Sequence, residues 1–159
     1  MFRIFFIFFI LVFPLNSWAL IEVDITRGNL NPLPVAVSPL SIDENSRKNF
    51  EKILNNSDIG SEISAIVENN LKTSGLFNPL NKDAFLQAPD IANLKPRFED
   101  WSLIKAQALI TGKVNFIDKK LRVEFRLWDV LAGKEILALA FTTVPTNWRR
   151  VGHIITDKV

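Results

Sequence analysis

Three consecutive stretches decide the fold: Ala108-Leu109-Ile110-Thr111-Gly112-Lys113-Val114-Asn115-Phe116, then Asp118-Lys119-Lys120, then Leu121 through Trp128. The first reads as a strand. In the third, Leu121, Val123, Phe125 and Leu127 alternate with Arg122, Glu124, Arg126 and Trp128, the period of a strand with one dry face. Asp118-Lys119-Lys120 joins the two as a hairpin. Ala132-Gly133-Lys134 makes a second tight connection into a strand from Glu135 to about Thr143.

Upstream of these strands lies the clearest helix, from about Asp58 to Ser74, with Ser57 as its expected N-cap and Gly75 as its left-handed stop. Asp58 and Glu62 sit near its positive N-terminal end. Ile59, Ile63, Ile66, Val67 and Leu71 form one apolar stripe that must pack on a sheet or another helix. Strands and an amphipathic helix together indicate a small α/β domain.

Shorter signals fill the rest. Val35-Ala36-Val37, bounded by Pro34 and Pro39, suits a buried strand, and Leu76 to Leu80 reads as a short extended segment. Ser41 to Asn56 is polar, with only Phe50, Ile53 and Leu54 in a helical pattern, and is expected to be a surface excursion. Pro89 and Pro96 mark irregular chain before a brief helix around Phe98 to Ala106. After Pro145, Asn147 is expected to cap a final helix with Trp148, Val151, Gly152, Ile155 and Val159 on one face. The stop at Val159, inside a helical pattern, suggests a fragment truncated in its last helix.

The N-terminus sets the compartment. Arg3 precedes an apolar run from Ile4 to Leu15, followed by Asn16-Ser17-Trp18-Ala19 with small residues at Ser17 and Ala19, the layout of a secretory signal peptide. The run is 12 residues long, whereas crossing a bilayer takes roughly 20 apolar residues. Cleavage is expected after Ala19, leaving no membrane anchor and about 140 residues, enough for one core.

Of the 19 basic residues only Arg3 is lost with the leader, leaving eighteen against 17 acidic ones. A net charge near zero provides no field to gather phosphates, so nucleic acid is not expected as a partner. The chain has no Cys and no Tyr and a single histidine, His153. Disulfides, thiol chemistry and a lipid-bearing cysteine are therefore absent, and a metal site would lack the usual His and Cys ligands.

Candidate chemistry is sparse. Thr111-Gly112-Lys113 lacks the earlier glycine of a phosphate loop, and the adjacent Glu99 and Asp100 do not share a helical face. Arg149-Arg150 beside Trp148 fits an inward Trp with outward arginines. No enzyme and no cofactor is expected. What stands apart is the mature N-terminus, where Ile21, Val23 and Ile25 alternate with Glu22, Asp24 and Thr26 before Gly28-Asn29-Leu30-Asn31-Pro32 breaks the pattern. Such a detachable strand docks on its own domain or adds to the sheet edge of another protein.

Four ordered strings carry a family resemblance: Ser74-Gly75-Leu76-Phe77-Asn78-Pro79-Leu80; Trp101 ahead of Ala108 to Val114; Phe125-Arg126-Leu127-Trp128-Asp129-Val130 with Gly133; and Asn147-Trp148-Arg149-Arg150-Val151-Gly152-His153. In order and spacing they resemble the TolB N-terminal domain, over nearly all the mature chain except Ser41 to Asn56. The resemblance implies a mixed β-sheet flanked by helices in one domain, residues 32–159, placed in the periplasm within the Tol-Pal cell-envelope system. It implies further that the first mature residues bind the C-terminal domain of TolA. Here these are Leu20, Ile21, Glu22, Val23, Asp24, Ile25, Thr26, Arg27, Gly28, Asn29, Leu30 and Asn31, with Ile25 to Gly28 the nearest match. Family members carry a β-propeller that binds Pal; it is not among these residues, so Pal binding is not expected of them. The competing classes are a periplasmic small-ligand-binding domain and a hydrolase assembled from Ser or Asp residues.

Overall fold

The structure, a computed structural model, describes residues 31–159. Its elements in order are β1 (Leu33–Val37), β2 (Ser41–Ile42), α1 (Glu44–Leu54), α2 (Ile59–Thr73), β3 (Phe77–Pro79), α3 (Pro89–Leu94), α4 (Phe98–Leu103), β4 (Ala108–Ile117), β5 (Lys120–Asp129), β6 (Lys134–Thr143) and α5 (Trp148–Thr156). The strands form one mixed sheet in the order β3-β1-β4-β5-β6, with β2 continuing along β4 beyond β1. β1 lies parallel to both β3 and β4, whereas β4, β5 and β6 form an antiparallel meander. This is the mixed, helix-flanked α/β sheet that the sequence pattern and the resemblance lead one to expect.

The β4–β5 hairpin turns on Asp118 and Lys119, both with positive φ (50° and 60°). That pair of left-handed residues matches the twist of the flanking strands in a two-residue hairpin. β5 then pairs with β6, with Leu127 opposite Leu137 and Trp128 opposite Glu135. Ile136 is the extra residue of a bulge, which bends the start of the edge strand.

One face of the sheet carries the main core. Val35, Ile110, Val123 and Phe125 project into it, and α2 delivers Ile59, Ile63, Val67 and Leu71, all essentially without solvent contact. Each such side chain contributes about 1.5–3 kcal/mol relative to an exposed position, so Ile63→Asp or Val67→Asp would be severely destabilising. α5 packs across α2. A Cβ on Gly152 would stand 2.8 Å from Ile66 Cγ2, so only a glycine permits this approach. Asn70 of α2 binds both His153 Nδ1 (2.9 Å) and Thr156 Oγ1 (3.3 Å) of α5.

The segment expected to be a surface excursion is instead a strand and a helix. Phe50 of α1 is wholly buried and meets Phe116 of β4 edge-on, with ring centroids 5.4 Å apart. Asp43 caps α1, accepting from Ser46 N (2.9 Å) and Ser46 Oγ (2.6 Å), while Ser46 Oγ accepts from Phe116 N (2.8 Å). Those Ser46 hydrogen bonds hold the Asp43 carboxyl below its ordinary range. The sequence offered one strong apolar residue here, because the helix is tied to β4 by polar bonds as much as by burial.

Three further expectations need amending at the level of local structure. α2 starts at Ile59 with Asp58, not Ser57, in the cap position and no side-chain cap bond. Asn147 precedes α5 without capping it, its amide donating instead to Thr143 Oγ1 (3.4 Å). The stretch between Pro89 and Pro96 contains the short helix α3, begun by Pro89 itself, a position proline favours.

The second face is covered in part. Trp101 of α4 is buried against Ala36 and Leu109, and its indole N–H donates to Gln87 Oε1 (3.0 Å), which also accepts from Arg97 N (3.1 Å). Beyond Trp128 this face is charged and open.

Candidate partner interface

Leu20 to Leu30, the bulk of the candidate segment, lie outside the described residues; Asn31 is described and is exposed. It stands immediately before β1, whose Leu33 N–H donates to Leu76 O (2.9 Å). The segment therefore joins the domain at the end of the sheet where β1, β3 and β4 begin. β1 is central and flanked on both sides, so what precedes it is anchored to the middle of the sheet by a buried strand.

That end of the molecule exposes two leucines, Leu103 and Leu131. A shallow groove runs between α4 and the β5–β6 connection, where Phe98, Leu103, Val130, Leu131 and Ala132 are joined by Glu99 and Ser102. Leu103 and Leu131 are 74% and 73% exposed, high values for leucines in a folded domain. Phe98 meets Trp128 edge-on with centroids 5.8 Å apart, which fixes the wall of the groove. No sequence signal singled out these two leucines, because neither lies on a strand alternation or a helical stripe.

The open face of the meander is a lattice of paired charges. Glu124 bridges Arg122 (2.9 Å) and Lys113 (3.4 Å), and Arg126 pairs with Glu135 (3.2 Å) while donating to Asn93 O (3.3 Å). Burial raises the Glu124 pKa, but the Arg122 and Lys113 cations outweigh it and hold the carboxyl below its ordinary value. Partly exposed pairs of this kind add little stability; they order the face and keep it hydrophilic.

The residues weighed for chemistry fall apart in space. His153 is exposed on α5 and serves as a contact to Asn70. Asp100 pairs with Arg97 (2.6 Å), and Glu99 is exposed at the groove beside Leu103. Thr111-Gly112-Lys113 is mid-strand, with Thr111 Oγ1 accepting from the Trp128 indole (2.9 Å). Arg149 stacks over the buried Trp148 ring at 4.2 Å, so that cation–π pair is internal to the helix. Among the described residues no group of three His, Cys, Asp or Glu converges as a metal would require, and no helix is long and apolar enough to cross a membrane.

Comparison with known proteins is consistent throughout. Residues 21–136 match the family described as the TolB amino-terminal domain. The Tol-Pal system protein TolB of Pelagibacter ubique is 78% identical over 157 residues, which cover 99% of this chain and 35% of that protein. The chain thus spans about a third of the length of that curated relative. Among solved structures, TolB from Acinetobacter baumannii has a TM-score of 0.60 at 20% identity, over 79% of this chain and 27% of that one. A lipoprotein from Neisseria meningitidis follows at 0.51 and 16% identity, over 80% and 94% of the two chains. At such identities these structures speak for the fold alone. The family match covers well over half the chain and spans the first three of the four motifs, Trp101 included, while the fourth, with Gly152, lies beyond it: this chain belongs to the TolB amino-terminal domain family.

Proposed function

We propose that this chain is a non-enzymatic protein-interaction module of the Tol-Pal cell-envelope system, exported to the periplasm by a signal peptide at residues 1–19. Its mature N-terminus, Leu20 to Asn31, binds the C-terminal domain of TolA, and the domain formed by residues 32–159 presents that segment. Through this contact it supports outer-membrane integrity and constriction during division. The observation that carries the reading is the 78% identity to a Tol-Pal system TolB across nearly the whole chain. The scatter of His153, Glu99 and Asp100 supports a binding rather than a catalytic role. Pal binding is not assigned to residues 1–159, since the family's Pal-binding propeller is not among them.

The test is an amide NMR titration of residues 20–159 with the TolA C-terminal domain. Shifts concentrated in Leu20 to Asn31 are expected, and removing those residues should abolish binding while β4–β5 resonances stay in place. A dispersed spectrum unmoved by TolA would sink the assignment.

A further inference from the structure

The two edges of the sheet are built differently. β3 is three residues long and ends in Pro79, which has no N–H to offer another strand. β6 is ten residues long, and Ile136 through Val144 carry no charge. Past the bulge at Ile136 its pairing with β5 is regular from Leu137 to Thr143. No strand pairs with its outer side among the described residues. Natural sheets blunt such edges with charges, prolines or short strands; this stretch has none of these and presents a row of backbone N–H and C=O groups outward.

A groove follows this edge on the core side. Leu137, Leu139 and Phe141 turn toward the core yet stay half-buried, and Phe141 is held by stacking on Phe125, with centroids 6.1 Å apart. Between β6 and α5 the lining is apolar at Phe141, Val151 and Ile154 and polar at Thr143, Asn147 and Arg150, where β6 ends and α5 begins. The groove holds about 200 Å³, less than the roughly 300–1,000 Å³ of small-molecule sites, but it has room for side chains of a strand laid along the edge. On the other face β6 shows Ala138, Ala140 and Thr142, small and exposed, so nothing bulky hinders the approach.

The charge here is one-sided. Of the six described arginines, Arg47, Arg97, Arg122 and Arg126 pair with carboxylates, and Arg149 stacks on Trp148. Arg150 lines the groove, is exposed, and has no carboxylate partner among the described residues. From Ala108 to Thr156 eight basic residues stand against four acidic ones, whereas residues 31–107 hold eight against ten. The meander and α5 thus form the positive part of the domain.

We infer that the outer edge of β6 docks an extended segment of another protein, one in which an acidic residue is followed at two-residue intervals by apolar ones, as an added antiparallel strand. That direction continues the meander and is the slightly more stable pairing. The incoming strand then starts beside Thr143 and runs toward Leu137. A carboxylate at its first inward position reaches the Arg150 end of the groove, and the next two inward positions fall opposite Phe141 and Leu139. A second copy of β6 does not meet this requirement, because its one acid, Glu135, lies on the opposite face and is held by Arg126. The site uses none of residues 20–31, so it stands or falls apart from the TolA reading.

The test titrates residues 20–159 with a synthetic nonapeptide in which Asp is followed by Val at every second position, with Thr between, and follows the amide NMR shifts. Shifts are expected in Leu137 to Val144, Val151 and Ile154, with Phe77 and Asn78 on the other edge unmoved. Arg150→Ala, its β4–β5 resonances in place, should weaken binding about two- to fivefold, as for an exposed ion pair, and a peptide with Lys for Asp should bind less well than the original. N-methylating the peptide backbone should abolish binding, since strand addition rests on main-chain hydrogen bonds. β6 amides unmoved at millimolar peptide would overturn the inference, as would equal binding of the Asp and Lys peptides. Undiminished binding of the N-methylated peptide would overturn the added strand. So would β6 shifts that arise without peptide as the protein is concentrated, which would put a second copy on the edge.

Discussion

Replacing Phe50 with Ala is the sharpest test of how α1 is held. The ring is wholly buried and edge-on to Phe116. Truncating a buried Phe costs about 3–5 kcal/mol from lost transfer energy plus the cavity left behind, of which the ring pair accounts for about 0.5–1.5. α1 lies at the margin of the sheet and buries only Ser46 besides Phe50, so it can collapse onto the vacancy, and the lower end, about 3 kcal/mol, is the expected value. A domain of this size has about 5–15 kcal/mol in all. With a urea dependence of about 1–3 kcal/mol per molar, the midpoint should fall by about 1–3 M. Ile53, 49% exposed on the same helix, is the control, and Ile53→Ala should cost less than about 0.5 kcal/mol. A loss under about 1 kcal/mol for Phe50→Ala with an unchanged slope would refute the reasoning and return residues 41–56 to the status of surface chain.

Gly152→Ala gains up to about 1 kcal/mol of helix propensity but drives a methyl against Ile66 of α2, and overpacking of that kind costs about 1–3 kcal/mol. Net destabilisation is expected in thermal unfolding, eased when Ile66→Ala is added; a more stable single variant would show that the helices have room to part. Asp43→Ala removes the cap of α1 and should cost about 0.5–2 kcal/mol at neutral pH by urea titration. The Asp43 pKa is lowered in the folded protein from 3.8, so its contribution is present above that value and fades as pH falls through the lower folded pKa. The gap between wild type and Asp43→Asn should therefore narrow below about pH 4; a gap constant from pH 6 to 3 would mean that the carboxylate is not what binds Ser46.

α2 and the β4–β5 hairpin were legible because their apolar residues repeat at 3.6 and 2 positions over long runs, and a period survives ignorance of the partner. α1 was not, since Phe50 is one residue and its partner Phe116 lies far along the chain. β2 is two residues that pair only because β4 extends past β1, a fact of topology with no local signature. The insertion of β1 between β3 and β4 was likewise invisible, as nothing in Val35-Ala36-Val37 names its neighbours. Of the candidate interface, the alternation from Ile21 to Ile25 was readable, and those residues lie outside the described ones.

The central place of β1 bears on how the chain can acquire its structure. Both of its neighbours come later in sequence, β3 at residue 77 and β4 at residue 108, so β1 has no complete slot to enter until more than seventy residues have followed it. The β4–β5–β6 meander, by contrast, closes through tight local turns and needs nothing upstream. Contacts between near residues form before distant ones; assembly should then run backwards along the chain, the meander first and β1 threading last. On the export route proposed above, a chain with that order would stay unfolded and extensible while its front half crosses the membrane, and would commit to its fold only when the back half arrives.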